Sequence, residues 1–551
     1  MYGTMGLRLY LSRRTRLPQA GLQEAWQNLR DTSCAMSKMN FSWCIASLIL
    51  LILLQGCANL PENLDLQVSH AFDRPEQTSL GRLAVQAAAH HGGDSGFFVQ
   101  DTGRNAFLQR VALIEAAEKS IDAQYYIWNS DISGRYLARR LLLAADRGVR
   151  VRLLLDDFNI GGRDSLLAAL DSHPNIEIRI YNPFAIREGP GRAVEAVGDF
   201  QRINRRMHNK TFVVDGAFGI VGGRNIGDEY FGLHPEVNFL DRDMLAAGPI
   251  VVDISGNFDR YWNSHAAYPV TNLAGKRLTP AQVEQRLVDA RDSARDMQEL
   301  TCKPPQHGDA ALSAMREWLA QFEWAPAELV YSEPVPKALP SEDYPGATAV
   351  RLRELIQSSR NEVLIESAYL ILADRQLEGI APVTSRGVKV RAITNSLASN
   401  DLIGNHAGYA RNRKNMLASG MELFELRPDG QICAACASDV TACDGDISLH
   451  AKTMVFDRSI LYVGSFNINL RSIYFNGETT LIVHSPRLAA RVAGSIESAM
   501  GPDNSWEVVL DKNAALQWEA SDGTYRHEPA TGWWRRFKAA LVGLLPIEKY
   551  Y

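Results

Sequence analysis

Two copies of one polar octet hold the residues of this chain that are best suited to chemistry. The first copy reads HNKTFVVD from His208 to Asp215, and the second reads HAKTMVFD from His450 to Asp457. One such octet would arise by chance in roughly one chain of a few tens at this length and at average residue abundance. Each copy is also followed at the same distance by a glycine and an asparagine, which are Gly222 and Asn225, then Gly464 and Asn467. The matched copies therefore indicate an internal duplication.

The residue types in the octets suit phosphoryl transfer without a metal. A phosphodiester carries a negative charge that repels nucleophiles, and the ammonium groups of Lys210 and Lys452 can neutralise it. A neutral imidazole can attack phosphorus and form a covalent intermediate, while a protonated imidazole opposite donates to the leaving oxygen. His208 and His450 therefore suit a two-step reaction. No cluster of carboxylates or histidines at metal spacing is evident elsewhere in the sequence, so no metal or other cofactor is expected.

A strand and a tight turn must position each octet. The residues TFVV and TMVF favour strands, and alternation along a strand puts the histidine and the lysine of each octet on the same face. Asp215-Gly216 is a strong hairpin signal. A tight hairpin would bring Asn225 back beside His208, and Asn467 back beside His450. Each hairpin then presents half a site, and two facing hairpins would complete one.

Further polar residues near the octets are candidates for orienting the histidines or binding phosphate. Asp241 and Asp243 precede an apolar run in the first half, and Asn476 and Glu478 hold the matching place in the second. A carboxylate at either place could orient a histidine, and a solvated strand edge is the alternative. Three arginines stand immediately before His208, and this local positive charge suits a phosphate. They are Arg202, Arg205 and Arg206.

Helices and strands alternate around the octets. Periodicity predicts helices over 105–120 and 133–148, and strands over 121–128, 149–157 and 176–182. The second half repeats the pattern, because RGVRVRLLL from Arg147 matches RGVKVRAIT from Arg386 at nearly the same offset as the octets. These observations predict a duplicated α/β domain with a mostly parallel sheet that is covered on both faces.

Length, charge and the N-terminal residues bound the class of protein. The chain has 551 residues, enough for two or three domains, and its net charge of −5 gives no reason to expect nucleic acid as a partner. Residues 45–54 form an apolar run that is too short to span a bilayer, which needs about 20 residues, but long enough for a signal peptide. The LQGC that ends at Cys57 resembles a bacterial lipoprotein cleavage site with Cys57 as the lipidated residue. An uncleaved N-terminal anchor is the alternative.

Two other stretches leave alternatives open. Four cysteines follow Cys57, and a disulfide-bearing insertion loop is favoured over a zinc site because no clear fourth zinc ligand is nearby. They are Cys302, Cys433, Cys436 and Cys443. The tail over 532–545 spaces tryptophan, phenylalanine and leucine in a helical pattern with arginine and lysine between them. That composition is typical of an interfacial membrane helix, and a helix packed onto the protein is the competing interpretation.

The paired octets resemble the phospholipase D superfamily, whose members carry two H-x-K-x-x-x-x-D motifs. Within that superfamily the chain is similar to bacterial cardiolipin synthases of the C type. The likeness extends over roughly residues 80–551 and rests on the segments RRMHNKTFVVDG, VGGRNIGDEYFG, RGVRVRLLLDD, NPF, HAGYAR and LPIE. The resemblance implies two α/β sandwich domains that share one central active site. It also implies a phosphohistidine intermediate with His208 as nucleophile and His450 as acid and base. The resemblance places the lysine and the aspartate of each octet among the catalytic residues as well, which are Lys210, Asp215, Lys452 and Asp457.

The resemblance also suggests further site residues. Ser465 fits the phosphate-binding hydroxyl of the family, whereas Gly223 departs from it. The histidine-orienting acid of the family maps to Glu478, with Asp243 as its counterpart in the first half. The expected layout has an N-terminal extension and signal, a first domain, a helical connector with a linker, a second domain and a tail. Their limits are 1–57, 80–270, 271–346, 347–500 and 501–551.

The function expected from these features is a membrane-associated phosphatidyltransferase that makes cardiolipin. It would pass a phosphatidyl group from phosphatidylglycerol or phosphatidylethanolamine to phosphatidylglycerol. A hydrolase that uses water, either a phospholipase D or a nuclease, is the first alternative, and an inactive envelope scaffold that binds anionic lipid is the second. The expected location is the bacterial cell envelope, with inner and outer membrane both open, and no protein partner is indicated.

Overall fold

The computed structural model describes residues 60, 66–187, 189, 191–273, 278–292, 308–339, 344–432 and 446–544. The lipidation site Cys57 and the signal-like segment lie outside these residues, as do the four later cysteines and the LPIE segment. Lipidation and disulfide formation therefore stay predictions. None of the helices within the described ranges is both long enough and apolar enough to cross a membrane.

The first half is built on one large sheet with helices on its outer face. Its strands are β1 (Ser95–Gln100), β2 (Ser120–Tyr125), β3 (Arg150–Asp156), β4 (Ile176–Tyr181), β5 (Thr211–Val214), β6 (Phe218–Gly222), β7 (Val237–Leu240), β8 (Asp243–Ala247), β9 (Ala267–Pro269) and β10 (Glu323–Ala325). Its helices are α1 (Ser79–Ala88), α2 (Gly103–Ala116), α3 (Ile132–Asp146), α4 (Asp164–Asp171), α5 (Gly191–Gly198), α6 (Phe200–Ile203), α7 (Ile250–Trp262), α8 (Pro280–Asp292) and α9 (Asp309–Leu319). The strand order across the sheet is β10-β1-β8-β6-β5-β2-β3-β4-β9.

The second half repeats this plan. Its strands are β11 (Ala327–Tyr331), β12 (Glu362–Ser367), β13 (Lys389–Asn395), β14 (Met421–Leu426), β15 (Asp446–Leu449), β16 (Lys452–Phe456), β17 (Ile460–Gly464), β18 (Thr479–Val483), β19 (Ser505–Leu510), β20 (Leu516–Ala520) and β21 (Gly523–Tyr525). Its helices are α10 (Ala347–Ser358), α11 (Asp374–Ser385), α12 (Ile403–Ala418), α13 (Leu470–Tyr474), α14 (Pro486–Ala499) and α15 (Trp533–Gly543). The strand order is β11-β18-β17-β16-β12-β13-β14-β19-β20-β21. The predicted α/β class and the duplication are confirmed.

Only the centre of each sheet is parallel. Strands β2, β3 and β4 pair in parallel, as do β12, β13 and β14, because helices connect them in crossovers. The octet strands β5 and β16 and the strands that follow them pair antiparallel. The prediction of mostly parallel sheets is wrong, because strands joined by tight turns can only pair antiparallel.

The two halves share a hydrophobic core. Its buried residues include Phe97 and Met244 from the first sheet and Val455 and Leu481 from the second, together with apolar residues of α7 and α14. Separate cores lie between the outer face of each sheet and its own helices. Burial of the inner faces therefore fixes the two sheets against each other, which any site between them requires.

Both sheets extend past the predicted domain limits. Strand β10 adds to the first sheet through β1, and β11 adds to the second through β18, although both lie in the predicted connector. Pro326 separates these strands where the chain passes from one sheet to the other. Strands β19 to β21, in the predicted tail, complete the second sheet.

Candidate active site

Each octet forms the hairpin that its sequence predicts. Strand β5 pairs with β6 in the register Thr211 to Val221, and β16 pairs with β17 in the register Thr453 to Val463. The first turn places Asp215 and Gly216 at φ angles of 53° and 59°, and the second places Asp457 at 49°. Aspartate and glycine tolerate this left-handed region, so the turn residues of the octets fit the geometry that they adopt.

The aspartates of the octets anchor the hairpins. The Asp215 carboxylate accepts hydrogen bonds of 3.0, 2.8 and 2.9 Å from three successive backbone N–H groups that begin at Glu118. The Asp457 carboxylate accepts equivalent bonds of 2.9, 2.7 and 3.0 Å from three N–H groups that begin at Arg360. Both lie at the end of the strand remote from the histidine. Their position assigns them to holding the fold, in place of the predicted catalytic role.

Each histidine is oriented by a carboxylate from the other half of the chain. His208 Nδ1 lies 3.0 Å from Glu478 Oε2, and His450 Nδ1 lies 2.6 Å from Asp241 Oδ2. Because an ionised carboxylate only accepts hydrogen bonds, Nδ1 carries the hydrogen in both rings. Nε2 is then left with its lone pair. The two predicted half-sites therefore combine into one.

Backbone hydrogen bonds hold each histidine against the opposite half of the chain. The His208 N–H donates to the Gly477 carbonyl at 2.8 Å, and the His450 N–H donates to the Leu240 carbonyl at 2.8 Å. Strands β7 and β15, one from each half, pair in parallel directly before Asp241 and His450. Main-chain bonds thus hold each imidazole beside the carboxylate that orients it.

Asp241 is the counterpart of Glu478, which corrects the prediction of Asp243. In the strand register, Gly222 faces Asp243 and Gly464 faces Thr480, so the residues two positions earlier are Asp241 and Glu478. Asp243 instead forms a buried ion pair with Arg110 at 2.9 Å. The two aspartates are two positions apart, so strand alternation does not separate them, and the pairing of β8 with β6 decides between them.

The carboxylates of Asp241 and Glu478 explain why position 223 is a glycine and position 465 a serine. Ser465 Oγ donates to Glu478 Oε2, and Ser472 Oγ donates to Glu478 Oε1 at 2.7 Å. A Cβ at Gly223 would lie 2.1 Å from Asp241 Oδ1. Serine at 223 would therefore collide with the carboxylate that orients His450. In the second half, the Ser465 hydroxyl donates to the orienting acid Glu478, so binding a phosphate is not its only contact.

The two lysines are buried beside the histidines. Lys210 Nζ donates to the His208 carbonyl at 2.7 Å, and Lys452 Nζ donates to the His450 carbonyl and lies 3.1 Å from His450 Nδ1. Burial lowers the pKa of Lys210 to about 7 and that of Lys452 to about 8. A buried anion between them would restore their charge, as expected of groups that bind a phosphodiester.

At pH 7 both imidazoles are in the neutral form. Burial lowers the pKa of His208 to about 4, although Glu478 acts in the opposite direction. Burial and the ammonium groups of Lys452 and Lys210 lower the pKa of His450 well below its usual value. A neutral imidazole is the form that can attack phosphorus.

The two asparagines after the octets differ in their contacts. Asn225 Oδ1 accepts from the Ile127 N–H at 3.1 Å, and its amide donates to the Tyr230 hydroxyl at 3.0 Å. Asn225 thus connects through Tyr230 to His450, whose ring Tyr230 meets edge-on. Asn467 Oδ1 is buried and has no hydrogen-bond partner among the described residues. The Asn467 side-chain oxygen could therefore accept a hydrogen bond from a ligand.

The arginines before His208 serve the fold. Arg206 is buried, donates to the Asn182 carbonyl at 2.8 Å and pairs with Asp156 at 3.3 Å. Arg205 donates to the Tyr474 carbonyl at 3.3 Å and covers the Phe475 ring. The prediction that Arg206 meets a phosphate is wrong, because a buried guanidinium needs such partners. Across the described residues, no cluster of three or more histidine, cysteine, aspartate or glutamate side chains is arranged to hold a metal.

Aromatic rings that the sequence analysis missed enclose both histidines. Tyr126 meets the His208 ring edge-on with centroids 5.1 Å apart. Tyr230 meets the His450 ring edge-on at 5.1 Å, and Phe239 stacks on it at 5.2 Å. The signal was present in the YY pair at the end of the first parallel strand and in the DEYF segment. These rings lower the local dielectric constant and strengthen the electrostatic interactions of the site.

Comparison with known proteins decides the family. A family model described as "Cardiolipin synthase, PLD-like domain" matches residues 111–262 and 352–500. Cardiolipin synthase C of Escherichia coli (strain K12) is 35% identical over 473 residues, which cover 85% of this chain and 99% of that protein. The chain belongs to the phospholipase D superfamily. It is an enzyme of the phosphatidyltransferase type within that superfamily.

One further relative and one solved structure are also similar to this chain. Cardiolipin synthase A of Pseudomonas entomophila (strain L48) is 25% identical over 399 residues, which cover 72% of this chain and 66% of that protein. The crystal structure of phosphatidylserine synthase from Haemophilus influenzae Rd KW20 superposes with a TM-score of 0.53 at 12% identity, over 85% of this chain and all of that one. This second likeness bears on the fold of the phospholipase D domains alone.

Proposed function

We propose that this enzyme makes cardiolipin through a covalent phosphatidyl group on His208. The observation that carries the proposal is the pairing of two neutral imidazoles, each oriented by a carboxylate of the other half, with two buried lysines. Neutral imidazoles and cations without a metal suit two successive displacements at one phosphorus. The likeness to cardiolipin synthases supports cardiolipin as the product.

In the first step His208 Nε2 attacks the phosphorus of the donor phospholipid. The phosphorus–nitrogen bond forms as the bond to the head-group oxygen breaks, and Glu478 stabilises the charge that develops on the ring. The negative charge of the bound phosphodiester raises the pKa of His450, which then carries a proton to the leaving oxygen. Lys210 and Lys452 stabilise the negative charge on the phosphoryl oxygens.

In the second step His450 is neutral and acts as the base. It takes a proton from the glycerol hydroxyl of phosphatidylglycerol, whose oxygen attacks phosphorus. The phosphorus–nitrogen bond breaks, and both imidazoles return to their starting state. Water would give phosphatidic acid by the same route. The aromatic rings at Tyr126, Tyr230 and Phe239 favour a lipid alcohol because they leave few polar groups to hold water.

The outer face of α15 supports action at a membrane. Trp533, Leu541 and Leu544 expose 72%, 57% and 79% of their surface, and Trp534 and Phe537 are half exposed. The opposite face of α15 lies on α12, where the Arg411 guanidinium donates to the Gly543 carbonyl. The helix is therefore packed on the protein and still presents an apolar face. Such a face, with Lys538 beside it, suits insertion into an anionic lipid surface.

Anchoring in the bacterial cell envelope belongs to the same proposal. It rests on the apolar run over 45–54 and on the cleavage-like LQGC that ends at Cys57. A lipid on Cys57 together with the apolar face of α15 would give two membrane contacts, which stable anchoring generally requires. A lipid substrate fits that location, in either the inner or the outer membrane.

Mass spectrometry of lipid products tests the proposed function. The parent protein and His208→Ala are each incubated with phosphatidylglycerol vesicles, with and without phosphatidylethanolamine. Cardiolipin formed by the parent and absent with the variant is the expected result. Ethanolamine released in step with additional cardiolipin would identify phosphatidylethanolamine as donor. Phosphatidic acid without cardiolipin would make the enzyme a hydrolase, and cleavage of single-stranded DNA instead of lipid would make it a nuclease.

A further inference from the structure

A half-open apolar cavity lies in the second half, on the far side of one wall of the active site. Its enclosed volume is about 150 Å³, and further space at its mouth is open to solvent. Helices α10 and α11 form two of its sides, and Phe466, Ile468 and Ile473 form its floor. Except at its mouth, the lining is almost entirely aliphatic and aromatic.

Positive charge surrounds the mouth of this cavity. Arg353 on α10 and Arg375 on α11 both belong to the lining, which contains no aspartate or glutamate. Both side chains are exposed, and neither forms a hydrogen bond or ion pair with another described residue. Gln376 also lines the cavity, and its Oε1 atom is buried without a partner among the described residues. The cavity thus combines an apolar interior with a cationic rim and an unsatisfied amide.

These three features match one class of ligand. An acyl chain would fill the apolar interior, an anionic phosphate would pair with the two guanidinium groups, and the Gln376 amide would meet a polar group of the glycerol. We propose that the cavity binds one acyl chain of an anionic glycerophospholipid, with its phosphate at Arg353 and Arg375. This is a second lipid site, distinct from the catalytic cleft.

The position of the cavity connects it to the active site. In the segment from Ser465 to Ile468, alternate residues face opposite ways. Ser465 donates to Glu478, and neither Ser465 nor Asn467 lines the cavity, whereas Phe466 and Ile468 form its floor. A lipid in the cavity therefore packs against the back of the segment that carries Ser465 and Asn467. Bound lipid would steady that segment, which holds the carboxylate that orients His208.

Gly379 provides a direct way to fill the cavity. It lies in α11 and lines the cavity, and a Cβ added there meets no atom within 4 Å. Gly379→Leu therefore places a side chain in the lipid position without disturbing the backbone, and leucine favours a helix more than glycine does. Gly494 is a matched control, because it is an exposed glycine of α14 where an added Cβ also meets nothing within 4 Å.

Photo-crosslinking measures occupancy directly. The probe is phosphatidylglycerol with a diazirine in one acyl chain, presented in phosphatidylcholine vesicles to the full-length protein in the His208→Ala background, so that the probe is not turned over. Crosslinked peptides are then mapped by mass spectrometry. Labelling of α10 and α11 should fall at least about tenfold on adding Gly379→Leu and should persist with Gly494→Leu. Equal labelling of α10 and α11 in both glycine variants would overturn the proposal.

The head-group requirement is tested separately. Arg353→Gln combined with Arg375→Gln should reduce labelling of α10 and α11 by diazirine-phosphatidylglycerol several-fold, toward the weaker labelling that diazirine-phosphatidylcholine gives. Diazirine-oleate that labels these helices as well as the phospholipid probe would contradict a phospholipid site and indicate one for free fatty acid. Because each readout is binding, failure of this proposal is distinguishable from failure of cardiolipin synthesis.

Discussion

At the scale of single residues, His208 and His450 each depend on a carboxylate from the opposite half of the chain. Glu478 and Asp241 fix the tautomer of each ring, and the burial that keeps both rings neutral also lowers the pKa of Lys210 and Lys452. The site thus combines neutral bases with cations that gain their full charge when an anion binds.

The variant Asp241→Asn tests whether Asp241, and not its neighbour Asp243, is the carboxylate that orients His450. The amide cannot favour the Nδ1–H tautomer of His450 or stabilise its imidazolium, so turnover should fall on the order of 10²-fold or more. Thermal unfolding should change little. Steady-state kinetics on phosphatidylglycerol vesicles and a melting curve measure both effects.

Asp243→Asn is the matched control for Asp241→Asn. It leaves the buried Arg110 without an ionised partner, so the free energy of unfolding should fall by about 3 to 5 kcal/mol. Turnover per folded molecule should stay close to that of the parent. Lost turnover in a fully folded Asp243→Asn, with normal turnover in Asp241→Asn, would reverse the assignment.

Lys210→Met tests the burial of charge through the pH dependence of stability. The folded-state pKa of Lys210 is about 7, below its usual 10.5. Between these two values the unfolded chain binds more protons than the folded one, so this lysine makes stability rise with pH. The free energy of unfolding of the parent should therefore increase relative to Lys210→Met between pH 7 and about 9. Urea titrations at both pH values measure the difference, and a constant gap would contradict the lowered pKa.

The octet histidines and lysines could be predicted from the sequence because the motif repeats. The choice between Asp241 and Asp243 could not, since it depends on the register of β8 against β6. The buried ion pair of Arg206 could not be predicted from the sequence either. Its buried partner Asp156 lies 50 residues earlier in the chain, and only the fold brings them together.

At the scale of elements, the hairpins are held at the end that does no chemistry. Asp457 bonds to three backbone N–H groups at the start of β12, and Asp215 does the same at the start of β2. This arrangement clamps the octet strand to its parallel neighbour. The two octets therefore share one spacing because a short strand must separate the histidine at one end from the anchoring aspartate at the other.

Asp457→Ala should lower stability without removing chemistry. It deletes three charge-assisted hydrogen bonds and leaves alanine at a φ of 49°, so the free energy of unfolding should fall by roughly 2 to 4 kcal/mol. Turnover per folded molecule should stay within a few-fold of the parent. Chemical denaturation and product assays on the same preparation test this. A stable but inactive variant would restore the catalytic role that the motif alone suggested.

Local periodicity predicted the elements well, with β3 at 150–156 against an expected 149–157 and α3 at 132–146 against 133–148. Strand direction was not predictable in the same way, because it follows from connection length. The helical crossover connections make the central strands of each sheet parallel. The hairpin strands, together with β1 and β8, add antiparallel strands beside them.

At the scale of the whole molecule, the two halves form one enzyme because their inner faces bury a common core. The constant offset of the repeats made the duplication predictable. The edge strands β10 and β11, which extend the two sheets past the predicted domain limits, were not predictable, because they are short, lie on either side of Pro326 and have little periodicity of their own. The helix predicted in the tail exists as α15, packed on one side and apolar on the other, and its contact with a membrane stays a prediction.

Trp533→Glu combined with Leu544→Glu should detach the enzyme from vesicles. Two carboxylates on the exposed face of α15 oppose insertion into anionic lipid, so co-sedimentation with phosphatidylglycerol vesicles should weaken by about tenfold or more. Turnover of short-chain, water-soluble phosphatidylglycerol should not change. Val252→Glu on α7 is the control, since Val252 is also 72% exposed but lies on the first half. Equal loss of vesicle binding in control and variant would argue against α15 as the membrane face.

The measurement that tests the two-step account most directly uses a phosphatidyl ester of p-nitrophenol, whose leaving group departs without a proton. His450→Ala should then release about one equivalent of p-nitrophenol in a burst and gain one phosphatidyl group, located on the peptide that contains His208. His208→Ala should give neither the burst nor the adduct. A phosphatidyl adduct on His450 in the His208→Ala protein would contradict the assigned roles. An active parent with no burst and no adduct in either variant would contradict the covalent intermediate itself.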